Sequence, residues 1–118
     1  MNCIDVRART LIVAFGAVTV LSACGAQKGA SPPARTITVT VSQLVFVPDI
    51  TRAKVGDTIV WVNKDVLRHS ATAAAGAFDV DLPPGATGRT VLTQPGVVKF
   101  SCRYHPGMTG EVHVAAKG

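Results

Sequence analysis

From Thr36 onward the chain is written in short runs that change character before a helix could form, and this punctuation restricts it to strands. Thr36-Ile37-Thr38-Val39-Thr40-Val41 alternates with period two, the pattern of a half-buried strand. Residues 44–47 are a short apolar run stopped by Pro48, and Gly56-Asp57 sets a turn ahead of a strand over residues 58–63. Residues 70–73 and 78–80 read as short extended segments, and Pro83-Pro84-Gly85 as a break. A strand over 88–92, a tight turn at Pro95-Gly96 and strands over 97–102 and 111–114 complete the series. Residues 71–77 are alanine-rich, but Gly76 interrupts them and no 3.6-residue period develops. Seven to eight short strands of this kind predict an all-β, two-sheet antiparallel sandwich closed around Phe46, Trp61, Phe78 and Phe100.

The first residues do not belong to that domain. Residues 1–9 carry Arg7 and Arg9, and residues 10–21 form an apolar run that reads as an export signal. A permanent membrane helix needs about 20 such residues, more than this run supplies. The run ends in Leu21-Ser22-Ala23-Cys24, which resembles the lipobox of bacterial lipoproteins. The resemblance implies cleavage after Ala23 and a lipid on Cys24, which would anchor the protein to a membrane outside the cytoplasm. Residues 1–23 are then a lipoprotein signal peptide, 24–35 a Gly-, Ser- and Pro-containing tether, and 36–118 the folded domain. A flexible tether of that length averages roughly 18 Å end to end.

Removing residues 1–23 takes away Arg7, Arg9 and Asp5, which leaves ten basic against six acidic side chains, a net charge of +4. With no basic run and few aromatics, that balance does not describe a nucleic-acid binder. It also takes away Cys3 and Met1, so past the lipid-bearing Cys24 the chain holds one cysteine, Cys102, and one methionine, Met108. Outside the cytoplasm a lone thiol is open to oxidation. A metal that holds it as thiolate removes that liability, so the cysteine count itself leans toward a metal site.

Cys102-Arg103-Tyr104-His105-Pro106-Gly107-Met108 places a thiolate, an imidazole and a thioether at three-residue spacing between two strands. A second imidazole, His69, follows the strand over 58–63, where a loop at the same end of the sandwich can present it. Two imidazoles, one thiolate and a weak axial thioether form the trigonal set of blue-copper electron-transfer sites. The soft sulfur donors favour Cu(I) while imidazole suits both oxidation states, so one electron can come and go with little ligand movement. Taken singly, Cys102 would be a small buried hydrophobe, Met108 core filler and His69 a solvated loop residue. The spacing of Cys102, His105 and Met108 decides for ligands there, and His69 joins them as the one other candidate imidazole. His113 alternates with Val112 and Val114, which sends it to the opposite face from the core, and it is rejected as a ligand.

The segments Val55-Gly56-Asp57-Thr58, Trp61-Val62-Asn63-Lys64-Asp65, His69-Ser70 and Phe100-Ser101-Cys102 resemble the bacterial cupredoxins of the plastocyanin, pseudoazurin and amicyanin type. The Cys-x-x-His-x-x-Met spacing is similar to that of amicyanin. The resemblance implies a Greek-key sandwich, one type 1 copper and an electron-transfer role without enzymatic activity. It also implies that His105 presents its edge at the surface as the electron's exit. Family members often carry Pro before the first His ligand and Asn after it; here Arg68 and Ser70 stand there. Ser70 is therefore expected to tie the two ligand loops through its hydroxyl.

The expected activity is that of a monomeric one-electron carrier in the bacterial envelope, meeting a c-type cytochrome or an oxidoreductase transiently. Arg68 and Arg103 are solvated charges by default and, on a second reading, a rim that steers an acidic partner. An oxidase or nitrite reductase needs a further histidine cluster, and only His113 is left over. Copper delivery or copper resistance in the envelope uses the same soft ligands and is the alternative function.

Overall fold

The computed structural model describes residues 32–118. The expected signal peptide, the expected lipid site at Cys24 and residues 24–31 of the expected tether lie outside the described residues. Nine strands follow in order: β1 (Thr36–Ser42), β2 (Val45–Val47), β3 (Ile50–Lys54), β4 (Thr58–Asn63), β5 (His69–Ala73), β6 (Asp79–Leu82), β7 (Thr87–Val91), β8 (Gly96–Ser101) and β9 (Thr109–Ala115). They form a four-stranded sheet in the order β2-β1-β4-β7 and a five-stranded sheet in the order β3-β9-β8-β5-β6. The all-β sandwich expected from the alternation is therefore present.

Two features differ from that expectation. The sandwich is mixed, because β1 runs parallel to β4 and β3 runs parallel to β9. Strand β3 is also additional. Its sequence, Ile-Thr-Arg-Ala-Lys, points Thr51 and Ala53 inward, so its buried face carries little hydrophobic signal. Its pairing with β9 makes it a strand, and that pairing is a long-range contact.

The core is aromatic. Trp61, wholly buried, packs edge-on against Phe100 at 5.1 Å and leans on Phe78 at 5.5 Å, and Phe46 meets Phe100 at 4.8 Å between ring centroids. Such pairs add about 0.5–1.5 kcal/mol each beyond the area they bury. The indole N–H of Trp61 donates to Thr90 Oγ1 at 2.9 Å, so its polar edge is satisfied inside the sandwich.

The register fixes which end of the sandwich carries the chemistry. Thr36 pairs with Thr58 at the end where the chain enters, and Val41 pairs with Asn63 at the other. At that second end β5 begins with His69, β8 stops one residue before Cys102, and β9 starts one residue after Met108. At the entry end, the buried carboxylate of Asp57 accepts the backbone N–H of Arg35 at 2.8 Å and of Lys54 at 2.9 Å, and the Arg35 guanidinium at 3.3 Å. Those donors, the Arg35 N–H foremost, hold its carboxyl below the usual carboxylate range although burial pushes the other way.

Candidate metal centre

His69, Cys102 and His105 come together at this pole, each offering one donor atom, with all three atoms within 4.8 Å of one another. Cys102 Sγ lies 3.8 Å from His69 Nδ1 and 3.6 Å from His105 Nδ1. A shared ion with bonds of about 2.3 Å to sulfur and 2.0 Å to nitrogen, at angles between tetrahedral and trigonal, sets such atoms about 3.5–3.7 Å apart. The two sulfur–nitrogen distances therefore lie close to those that one shared transition-metal ion would set. A single thiolate with two imidazoles is a set that suits copper.

Met108 is 4 % exposed and belongs to the buried core. Its carbonyl accepts the Cys102 N–H at 3.0 Å, and its own N–H donates to the His105 carbonyl at 3.2 Å. The loop thus turns back on itself through backbone hydrogen bonds, and Gly107 takes a φ of 92° in the turn, where a side chain would strain. His69 is fully buried whereas His105 is half-buried, so of the two imidazoles only His105 reaches the surface.

His69 does not sit in a loop, as its position after β4 suggests, but is the first residue of β5 and pairs with Leu82. Its far nitrogen, Nε2, meets Asp65 Oδ2 at 2.9 Å. A carboxylate only accepts, so Nε2 carries the proton and Nδ1 is left to face Cys102. Asp65 is itself fixed by the β1–β2 turn. The Gln43 N–H donates to its Oδ1 at 2.7 Å and the Leu44 N–H to its Oδ2 at 3.0 Å. These contacts, led by the Leu44 N–H and joined by that of Gln43 and by the His69 ring, hold the Asp65 carboxyl below its ordinary range against burial.

That turn departs from the sequence reading, which placed Leu44 in a strand. Gln43 and Leu44 both have positive φ, 54° and 63°, and Leu44 is exposed. A two-residue hairpin turn of this hand ordinarily uses Asn-Gly. Here the Asp65 carboxylate gathers both turn N–H groups and offsets part of the strain.

Asn63 supports the same loop from below, its side-chain amide donating to the carbonyls of Leu67 (2.8 Å), Leu82 (2.9 Å) and Pro83 (3.2 Å). Neither Asn63 nor Asp65 received a role from sequence reasoning. A carboxylate four residues before a candidate ligand histidine is the signal that could have found Asp65.

The Ser70 hydroxyl accepts the Arg103 N–H at 2.9 Å, between β5 and the segment that follows β8. His113 lies on the outer face, its Nε2 2.8 Å from Glu111 Oε2, while Val112 and Val114 enter the core. The arginines do not form a free cationic rim. Arg68 is paired with Asp81 and Arg103 with Asp79, each carboxyl lowered and each guanidinium raised by its partner's hydrogen bond. Both aspartates come from β6, which the sequence placed as an extended segment without linking it to the site.

Comparison with known proteins agrees with this geometry. Residues 11–114 match the family model of the cupredoxin-like domain. The chain is 28 % identical over 109 residues to amicyanin-alpha of Methylorubrum extorquens, covering 87 % of this chain and 92 % of that protein. It is 26 % identical over 119 residues to amicyanin of Paracoccus denitrificans, covering 91 % of each. Among solved structures, the Cu(I) form of an amicyanin mutant superposes with a TM-score of 0.64 at 24 % identity, over 68 % of this chain and 82 % of that one. The chain belongs to the cupredoxin-like domain family.

Proposed function

We propose that His69, Cys102, His105 and Met108 hold one type 1 copper ion and that the protein carries single electrons between redox partners of the bacterial envelope. The observation that carries this reading is the three-donor cluster, with the thiol 3.6 and 3.8 Å from the two imidazole nitrogens and one imidazole at the surface. A copper ion held there supplies reversible Cu(II)/Cu(I) chemistry. The chain's part is to keep the donors still and dry. His69 is oriented by Asp65, Cys102 and Met108 are buried, and His105 offers the short path outward. The protein is a carrier and not an enzyme.

Docking is transient and uses the apolar side chains of this pole, among them the exposed Leu44, Val66 and Leu67. A c-type cytochrome or an oxidoreductase fits as partner, and a lipid on Cys24 would keep the domain at the membrane outside the cytoplasm. Copper delivery is less well supported, because an acceptor must reach the ligands and three of the four are buried.

Cu(II) titration of the apoprotein tests the site. An intense blue thiolate-to-copper band saturating at one equivalent, with narrow copper hyperfine splitting in EPR, is expected, and Cys102→Ser should abolish it. A colourless or ordinary tetragonal copper signal would overturn the assignment.

A further inference from the structure

The two residues between the thiolate and the surface imidazole, Arg103 and Tyr104, are each fastened to a residue that flanks the buried imidazole. On one side the link is direct and then doubled. The Arg103 N–H donates to Ser70 Oγ at 2.9 Å, Ser70 Oγ is 2.9 Å from Thr72 Oγ1, and Thr72 Oγ1 donates to Asp79 Oδ1 at 3.0 Å. The Arg103 guanidinium returns to that same Asp79 oxygen and closes a ring. On the other side Arg68 grips both oxygens of Asp81, and the Tyr104 hydroxyl donates to Asp81 Oδ1 at 3.2 Å. The Tyr104 ring sits within cation–π range of both guanidinia, 5.7 Å from Arg68 and 5.9 Å from Arg103.

We infer that Thr72, Asp79, Asp81 and Tyr104 form a brace that positions the copper loop against β5 and β6, extending the single Ser70 link into two closed circuits. Neither circuit contains a metal ligand, so these are positioning residues. In the first, every proton points the same way, from the backbone N–H through two hydroxyls to a carboxylate. Such a chain polarises and strengthens each member. The second fixes the Tyr104 ring by its hydroxyl and by both flanking guanidinia, which leaves the backbone just before His105 little freedom. A donor set held this way moves little when an electron arrives, so the brace favours fast transfer. Single exposed ion pairs contribute little on their own. Here the circuit matters, since the loop is released only if both sides open.

This inference rests on the type 1 copper reading, and its test separates the two. Thr72→Val with Tyr104→Phe removes the hydroxyl link from each circuit without changing any charge, at side chains outside the core. In the full apoprotein, hydrogen exchange at the Arg103 amide should speed up by about tenfold in this variant. In the copper-loaded full chain, the blue band should persist while electron self-exchange falls about tenfold, the low end of what outer-shell partners contribute. Thr72→Ser, which keeps the hydroxyl, should retain the wild-type rate. Unchanged amide exchange in the apoprotein, or unchanged self-exchange in a blue variant, would overturn the brace. A wild-type protein that never turns blue would sink the copper reading, while amide exchange would still decide whether the loop is braced.

Discussion

Asp65 Oδ2 stands 2.9 Å from His69 Nε2, on the side of the ring away from Cys102, and the same carboxylate receives both N–H groups of the Gln43-Leu44 turn. One side chain thus sets the tautomer of a buried imidazole and stabilises a hairpin turn built from two residues that rarely adopt positive φ. The polar hub of the site lies outside the donor set, and it joins the first hairpin to β5.

Asp65→Ala should therefore weaken copper binding by roughly 10–100-fold, the range seen when the outer partner of a ligand histidine is removed. Competition with a Cu(I) chelator measures it. Asp65→Asn, which can still accept from Nε2 but carries no charge, should fall between the two. Wild-type affinity in the alanine variant would mean that the His69 ring is held by β5 alone.

Acid stability follows from Asp57, the buried carboxylate at the opposite end. Its pKa is depressed on folding, so the unfolded chain binds its proton first as pH falls. The stability it contributes is thus complete above the unfolded value of 3.8 and is lost as pH drops below that toward the folded value. Urea denaturation between neutral pH and pH well below that value should show stability rising with pH, with a shallower slope in Asp57→Asn. At neutral pH Asp57→Ala should lose on the order of 3 kcal/mol, since it strands the backbone N–H groups of Arg35 and Lys54.

Gly110 is the second residue of β9, beside the metal loop, and a methyl group there would sit 2.4 Å from Phe100 Cζ and 2.8 Å from the Asp49 carbonyl oxygen. The second contact is backbone and cannot swing aside. Gly110→Ala should destabilise the fold by about 1–3 kcal/mol through overpacking. A thermal melt at matched copper content measures it, and a variant melting with the wild type would show that Phe100 repacks freely.

The charges around the copper pole balance: Lys64, Arg68 and Arg103 stand against Asp65, Asp79 and Asp81, and both arginines are ion-paired. Two copies meeting at this pole present no net charge there. Electron self-exchange should accordingly change by less than about twofold between low and physiological salt, whereas an uncompensated cationic rim would make it rise steeply as salt screened the repulsion. Charge reversal at Arg103 should introduce a salt dependence that the wild type lacks.

The donor set was legible because its chemistry is local. Cys102 and His105, two members of the observed cluster, share one short loop, and a thiolate beside imidazole at that spacing has few other uses. The strands were legible where alternation placed large side chains inward, as in β1 and β4. Strand β3 was not, because it buries only Thr51 and Ala53 and owes its conformation to β9. Leu44 was misplaced for a related reason: an apolar residue in a turn looks like the start of a strand until the turn's hydrogen-bond partner is known.

What the sequence determined by itself is the all-β class, the inward aromatic set and the identity of the clustered donors, since period, residue size and ligand softness are properties of neighbouring residues. What only the tertiary structure decided is everything that joins distant segments. That includes the parallel pairings, the bond from Asp65 to His69 that sits on a turn twenty residues earlier in the chain, and the pairing of Arg68 and Arg103 with β6. A carboxylate's partner is set by where the backbone brings it, and no local pattern of charge contains that information.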